Sequence, residues 1–375
     1  MTTAPAGHVR PLTSLRFVAA FWVLCHHALP RERAGAAGAA FAETGWLGVS
    51  LFFVLSGFLL MLRYAPDGAL RGSKRDFWLE RVARLAPTYL LALTFALPLL
   101  VRDARVQDLS ASLTAWIAVS ALTLQQAWRP ETACAWNCPA WSLSVETWFY
   151  LVFPLLFVVL GRWLMRAPSR GALLLGGSMV ASIVIFPTLE SLSGAWPLPL
   201  FSLSPLSRWP EFTAGIGLAA LAARWRPADA RGGWIALSLG LVWIASTIVN
   251  RSAIVAAGGH LLPLALPGFA LVILGAWGLR GVRAGVLESP GLVLLGEASY
   301  ALYLLHAPLH SYVLALTNRV VGRGFDTSWA VFSLYVPLAL GLSVAVYHWV
   351  ERPARARLRA RFGITRPNDP ATARA

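Results

Sequence analysis

Apolar runs long enough to cross a bilayer recur from one end of this 375-residue chain to the other. A helical span needs about 20 consecutive apolar residues. Ten runs approach or reach that length, at 12–29, 46–62, 85–101, 143–160, 172–187, 209–223, 234–249, 261–279, 295–316 and 329–350. In hydrocarbon a spanning segment must satisfy its own backbone hydrogen bonds, and runs of this length do so as α-helices. The expected fold is therefore all-α, a polytopic membrane helix bundle of about ten transmembrane helices. Composition agrees. Residues are 57% hydrophobic and 13% charged, against about 25% charged in soluble proteins. Residues 1–353 are expected to form one membrane domain, and 354–375 a basic, disordered cytoplasmic tail. The first run carries Arg16 and His27 and lacks a small-residue cleavage site, so it reads as a retained helix rather than a signal peptide.

The net charge of +15 would raise nucleic acid as a partner for a soluble chain. Here the arginines sit between apolar runs and at the C-terminus. Membrane topology accounts for them, and the expected partner is the lipid bilayer, not nucleic acid. With ten crossings and both termini inside, 22 of the 32 lysines and arginines fall inside and 9 outside. Eleven crossings divide the same charges 19 to 12. Because positive residues concentrate on the cytoplasmic side, the shorter run at 112–127 is expected not to cross. Segment 101–141 then lies outside. Cys134 and Cys138 form a C-x₃-C pair there, and two readings stand, a disulfide or a reduced loop pair. No spacing of His, Asp or Glu resembles a zinc site, so no metal is expected. There is no Gly-x-Ser-x-Gly nucleophile elbow either.

Three polar groups interrupt the apolar pattern. Arg16 and His27 are eleven residues apart, three helical turns plus about 20°, so both share one helix face about 16 Å apart along the axis. Arginine at membrane depth costs about 2.5–3.5 kcal/mol on insertion scales. It either faces the bundle interior or snorkels to the interface. His26 lies about 100° round the helix and reads as structural. Arg81 and Arg84, at i and i+3 on one face, suit phosphate contact. From spacing alone, ordinary positive-inside anchoring is the favoured reading. Glu146 sits about one turn into an apolar run, either as a catalytic carboxylate or as the acid of an intramembrane ion pair. Buried Arg, His and Glu also mark transport pathways, so a transporter of a sugar-containing or drug-like substrate is the competing class.

Taken in order, these residues resemble the acyltransferase-three family of integral membrane O-acyltransferases. The likeness is carried by Arg16-x₁₀-His27, Gly48 through Phe58, and Arg81-x-x-Arg84 with Pro87 and Tyr89. It continues in Trp141-Ser142-Leu143-Ser144-Val145-Glu146 with Phe149-Tyr150, Arg208-x-x-Glu211-Phe212, Ser299-Tyr300 through His306-x-Pro308, and Glu351-Arg352-Pro353. Ser50 departs from the Asp of many members. The chain also ends soon after the last run, so any second enzymatic step of the kind some members carry out is expected elsewhere.

The resemblance implies an acyl group, acetyl first, moving from cytosolic acyl-CoA to the hydroxyl of a glycan, lipid-linked sugar or secreted metabolite such as a macrolide. Arg81, Arg84 and Tyr89 would bind the CoA donor, with Arg16 nearby. His27 would act as general base, and Glu146 would orient it and stabilise its imidazolium. Direct transfer needs fewer steps than an acyl-histidine relay, though the sequence leaves both open. Trp141, Ser144, Glu211, Tyr300 and His306 are the expected acceptor-binding residues. For His306 a hydrogen bond to a neighbouring helix is the alternative.

Overall fold

The computed structural model describes residues 9–192, 203–223, 230–280, 285–322 and 328–364, and among these there is no β-strand. The helices are, in order, α1 (Arg10–Ala28), α2 (Gly35–Glu43), α3 (Leu47–Tyr64), α4 (Lys74–Val106), α5 (Ala111–Leu122) and α6 (Pro130–Ala133). There follow α7 (Trp141–Leu164), α8 (Pro168–Leu192), α9 (Trp209–Ala222), α10 (Ala230–Val249), α11 (Arg251–Ala256) and α12 (Leu261–Gly278). The last are α13 (Pro290–Glu297), α14 (Ser299–Val320), α15 (Trp329–Val346) and α16 (Arg352–Phe362).

Each of the ten apolar runs lies on helix. By length and composition, six helices among the described residues suffice to cross a membrane: α3, α4, α8, α10, α12 and α15 with its continuation to Phe362. A seventh is α13 with α14, bent by 66° at Ala298. The figure of ten is not reached by this measure, and α9 has only 14 residues. Helix α5 has 12 residues, about 18 Å of rise against a hydrocarbon core of about 30 Å.

Helices α3 and α9 touch backbone to backbone. A Cβ on Gly57 would lie 2.1 Å from the Phe212 carbonyl oxygen, and one on Gly215 would lie 2.0 Å from that of Val54. Small residues permit such approach, and dispersion then replaces the missing hydrophobic drive between helices in lipid. The contact sets α9 against the bundle so that Phe149 of α7 stacks on Phe212 at 4.4 Å. Gly57→Ala or Gly215→Ala must push two backbones apart. Each is expected to destabilise the protein by about 1–3 kcal/mol or more, seen as an earlier unfolding transition in detergent.

Residues 354–362 continue α16 instead of lying disordered, while 365–375 fall outside the described residues. Glu80 of α4 is a buried carboxylate that accepts from Arg355 at 2.5 Å and forms an ion pair with Arg359 at 3.1 Å. Arg355 and Arg359 are four residues apart and share one helix face. Together they clamp α16 against the arginine-rich end of α4.

Candidate active site

A cavity of about 290 Å³ opens among α1, α3, α4, α7 and α14. Five arginines line it, Arg16, Arg63, Arg81, Arg84 and Arg355, against three carboxylates, Glu146, Glu297 and Glu351. The arginines are not equivalent. Arg81 is buried and held: its Nη2 donates to the Tyr64 hydroxyl at 2.7 Å, and its guanidinium sits 5.2 Å from the Tyr64 ring centre and 5.5 Å from that of Tyr150. Arg16 and Arg84 are half-buried, and among the described residues neither has a hydrogen bond or ion pair. The charges acting on Arg16 include those of Arg84, Glu351 and Glu146. Two guanidiniums thus line one cavity without a hydrogen bond or ion pair among the described residues.

Glu146 lines the same cavity. Its Oε1 accepts from Ser56 at 3.3 Å and from the Tyr150 hydroxyl one turn along α7. It makes no hydrogen bond to His27. That separates two residues the sequence reading had joined. Glu146 stands beside the arginine cluster, whereas His27 lies three turns along α1 from Arg16. The break at Ala298 brings Glu297, Ser299 and Tyr300 to the cavity wall, where the Tyr300 hydroxyl donates to the Leu85 carbonyl at 3.0 Å.

Beyond the cavity stands a histidine pair. His27 is exposed and His306 is 1% exposed, and His27 Nδ1 lies 3.2 Å from His306 Nε2. His27 Nδ1 also lies 3.0 Å from the Val23 carbonyl oxygen. Tyr303 joins the two regions, for it lines the cavity and its ring centre is 5.9 Å from that of His306. Phe52, also a cavity residue, packs edge-on against Tyr303. The Tyr303 hydroxyl is fixed at 2.8 Å from both Ser142 Oγ and the Pro139 carbonyl. The segment that carries Pro139 is closed by a Cys134–Cys138 disulfide and tied to α14 by Asn137, which donates to the Leu304 carbonyl at 3.0 Å. His26 faces elsewhere, with its Nδ1 2.7 Å from the Ala42 carbonyl of α2.

Four other sequence candidates do not line the cavity. The Tyr89 hydroxyl donates to the Ala121 carbonyl at 2.7 Å and so holds α5. Ser144 accepts from the Ala127 amide at 3.3 Å. Trp141 lies under the Arg208 guanidinium at 5.3 Å. Glu211 is fully buried and pairs with Arg208 at 3.1 Å, while Arg208 also donates to Ser50 at 3.5 Å. Ser50 thus supplies a neutral third member beside the Arg208–Glu211 pair. Conversely, Tyr64, Arg63, Glu351 and Arg355 line the cavity without having been singled out. Glu351 was within reach, since it opens a quoted motif, but its depth depends on how α15 packs.

A family model described as an acyltransferase domain matches residues 12–348. The chain belongs to the acyltransferase-three family. It is an integral membrane acyltransferase acting on hydroxyl groups. The acyltransferase is 30% identical over 389 residues to acyltransferase MdmB of Streptomyces mycarofaciens, covering 96% of this chain and 95% of that one. It is 28% identical over 332 residues to exopolysaccharide production protein ExoZ of Rhizobium meliloti (strain 1021), covering 84% and 92%. No solved structure matches the acyltransferase. Among the described residues no group of His, Cys, Asp and Glu is arranged to hold a metal ion.

Proposed function

We propose that the enzyme draws an acyl group, acetyl first, from acyl-CoA held in the arginine-lined cavity and passes it to an acceptor hydroxyl at His27. The observation that carries this reading is the unpaired Arg16 and Arg84, with Arg63 and Arg81 beside them. Guanidinium grips phosphate with parallel donors, and CoA is a long thin thiol with a phosphate-bearing end. The cavity is at the small end of ligand pockets, so the pantetheine arm and its phosphates enter while the base stays outside. The arm then points past Phe52 and Tyr303 toward His27, about 16 Å from Arg16 along α1. The arginine end faces the cytosol, where acyl-CoA is made, and the enzyme sits in the cell membrane.

His27 acts as general base on the attacking hydroxyl. Glu146, with Ser56 and Tyr150, balances the charge of the donor site instead of serving His27. Direct transfer remains the preferred route because it needs one acyl transfer rather than two. For the acceptor, the likeness to an exopolysaccharide production protein supports a glycan, and a lipid-linked sugar or secreted metabolite such as a macrolide fits the same chemistry. Mass spectrometry of envelope sugars and secreted metabolites, with and without the protein, tests this. The expected result is an alkali-labile acyl ester on one of these fractions only when the protein is present. Identical fractions in both strains would contradict the reading.

A further inference from the structure

His27 and His306 are 279 positions apart in sequence yet share a short contact, and the oxygens around them decide where their protons sit. A carbonyl oxygen can only accept. That of Tyr303 lies 2.7 Å from His306 Nδ1, so this nitrogen carries hydrogen and donates. A neutral imidazole has a single N–H, which leaves a lone pair on His306 Nε2. His27 Nδ1 faces two acceptors, that Nε2 at 3.2 Å and the Val23 carbonyl at 3.0 Å. It therefore carries hydrogen as well, and His27 Nε2 is left as the basic nitrogen. Which nitrogen of a histidine is basic is set in this way by the bond the other makes.

We infer that His306 is a positioning residue that, together with the Val23 carbonyl, holds His27 in the tautomer whose Nε2 takes the proton from the acceptor hydroxyl. This rests on the reading of His27 as the base. In the transfer, the acceptor oxygen bonds to the thioester carbonyl carbon and the carbon–sulfur bond breaks. The hydroxyl proton passes to His27 Nε2 and from there to the CoA sulfur. While His27 is an imidazolium, its Nδ1–H stays on His306 Nε2 and the Val23 carbonyl. A neutral imidazole thus fills the place in which a carboxylate was expected. At this depth it avoids the desolvation cost of a second buried ion. His306 suits the task because it cannot turn freely. It is buried, its ring is tied to the Tyr303 carbonyl, and its own carbonyl accepts from the Tyr335 hydroxyl at 2.9 Å.

The test reads the tautomer without turnover. Nitrogen-15 spectra of histidine-labelled protein in detergent resolve protonated from lone-pair ring nitrogens, and His27→Ala identifies the His27 signals among the seven histidines. In the wild-type enzyme His27 should show hydrogen on Nδ1 and a lone pair on Nε2. In His306→Leu the Val23 carbonyl is the single acceptor left to His27 Nδ1, so the share of His27 with hydrogen on Nε2 should rise, its imidazolium loses one of two acceptors, and kcat should fall by roughly a hundredfold or more with KM for acetyl-CoA unchanged. His306→Gln places an amide oxygen near the lost Nε2. It should keep the Nδ1–H tautomer and return kcat to within roughly tenfold of wild type. Hydrogen on Nε2 of His27 in the wild-type enzyme would overturn the proposal. So would a Gln variant as inactive as Leu with the tautomer preserved, because His306 would then be carrying the proton itself. An active His27→Ala enzyme would remove the base, and with it the pair's role, whatever the spectra show.

Discussion

His27→Ala is expected to lower acyl transfer by roughly 10²- to 10⁴-fold, the usual share of a general base, while leaving acetyl-CoA affinity nearly intact. The separation follows from the geometry. The imidazole contacts His306 and the Val23 carbonyl, and neither it nor His306 lines the arginine cavity. His26→Ala is the internal control. Its ring is tied to the Ala42 carbonyl on α2, so the variant should keep its turnover if the α1–α2 contact survives. Turnover with acetyl-CoA and titration of CoA against each purified variant check both halves. An inactive His26→Ala beside an active His27→Ala, in well-folded protein, would reassign the base. Loss of CoA binding in His27→Ala would contradict the two-ended arrangement.

Arg16→Ala and Arg84→Ala should do the reverse. Each should raise the dissociation constant for acetyl-CoA at least tenfold, which corresponds to about 1.5–3 kcal/mol for hydrogen bonds to a charged group. Neither arginine has a hydrogen bond or ion pair among the described residues, but the charge of each acts on the buried Glu351, so the unfolding of each variant is followed beside its binding. Arg84→Lys should recover only part of the affinity, since an ammonium lacks the two parallel donors of guanidinium. Arg81→Ala is expected to behave differently. Arg81 binds the Tyr64 hydroxyl and lies among the rings of Tyr64, Phe77 and Tyr150, so its loss should lower thermal stability as well as binding. Calorimetric titration of CoA and unfolding of the same samples separate the two effects. Equal binding by all four variants would remove the cavity from the donor site.

What the sequence shows of this site depends on distance along the chain. Arg16 and His27 share a helix, and a period of 3.6 residues is enough to align them on one face. Arg81 and Arg84 are likewise local, and both do line the cavity. The partner of His27 was not legible in this way. Glu146 is the nearest carboxylate in the motif pattern, but whether it meets His27 depends on how α7 and α1 are offset along the bundle. The structure puts it against Ser56 and Tyr150. The His306 contact needs α14 to return beside α1 after a 66° break at Ala298, which no local pattern encodes. Tyr89, Ser144 and Glu211 were read from motif membership. The structure places each outside the cavity lining, bound to a neighbouring group by hydrogen bonds or an ion pair.

The tail shows a related limit. Residues 354–362 are rich in arginine, which reads as solvated chain until a buried acceptor is known. Glu80 is that acceptor, about 275 residues earlier. The all-helical class was legible from apolar run length alone. The number of crossings was not, because α9 is short and α13 and α14 form one bent pair.

In the proposed reaction the acyl group comes from acyl-CoA and ends on a hydroxyl oxygen. Membranes containing the protein are supplied with carbon-13-labelled acetyl-CoA together with envelope glycan and secreted metabolite fractions, and free CoA thiol and alkali-labile acetyl ester are measured together. Labelled ester and CoA thiol are expected in equal amounts, both lower by roughly a hundredfold or more with His27→Ala. Ester that carries no label, or substrate carried across sealed vesicles with no ester formed, would contradict this reaction.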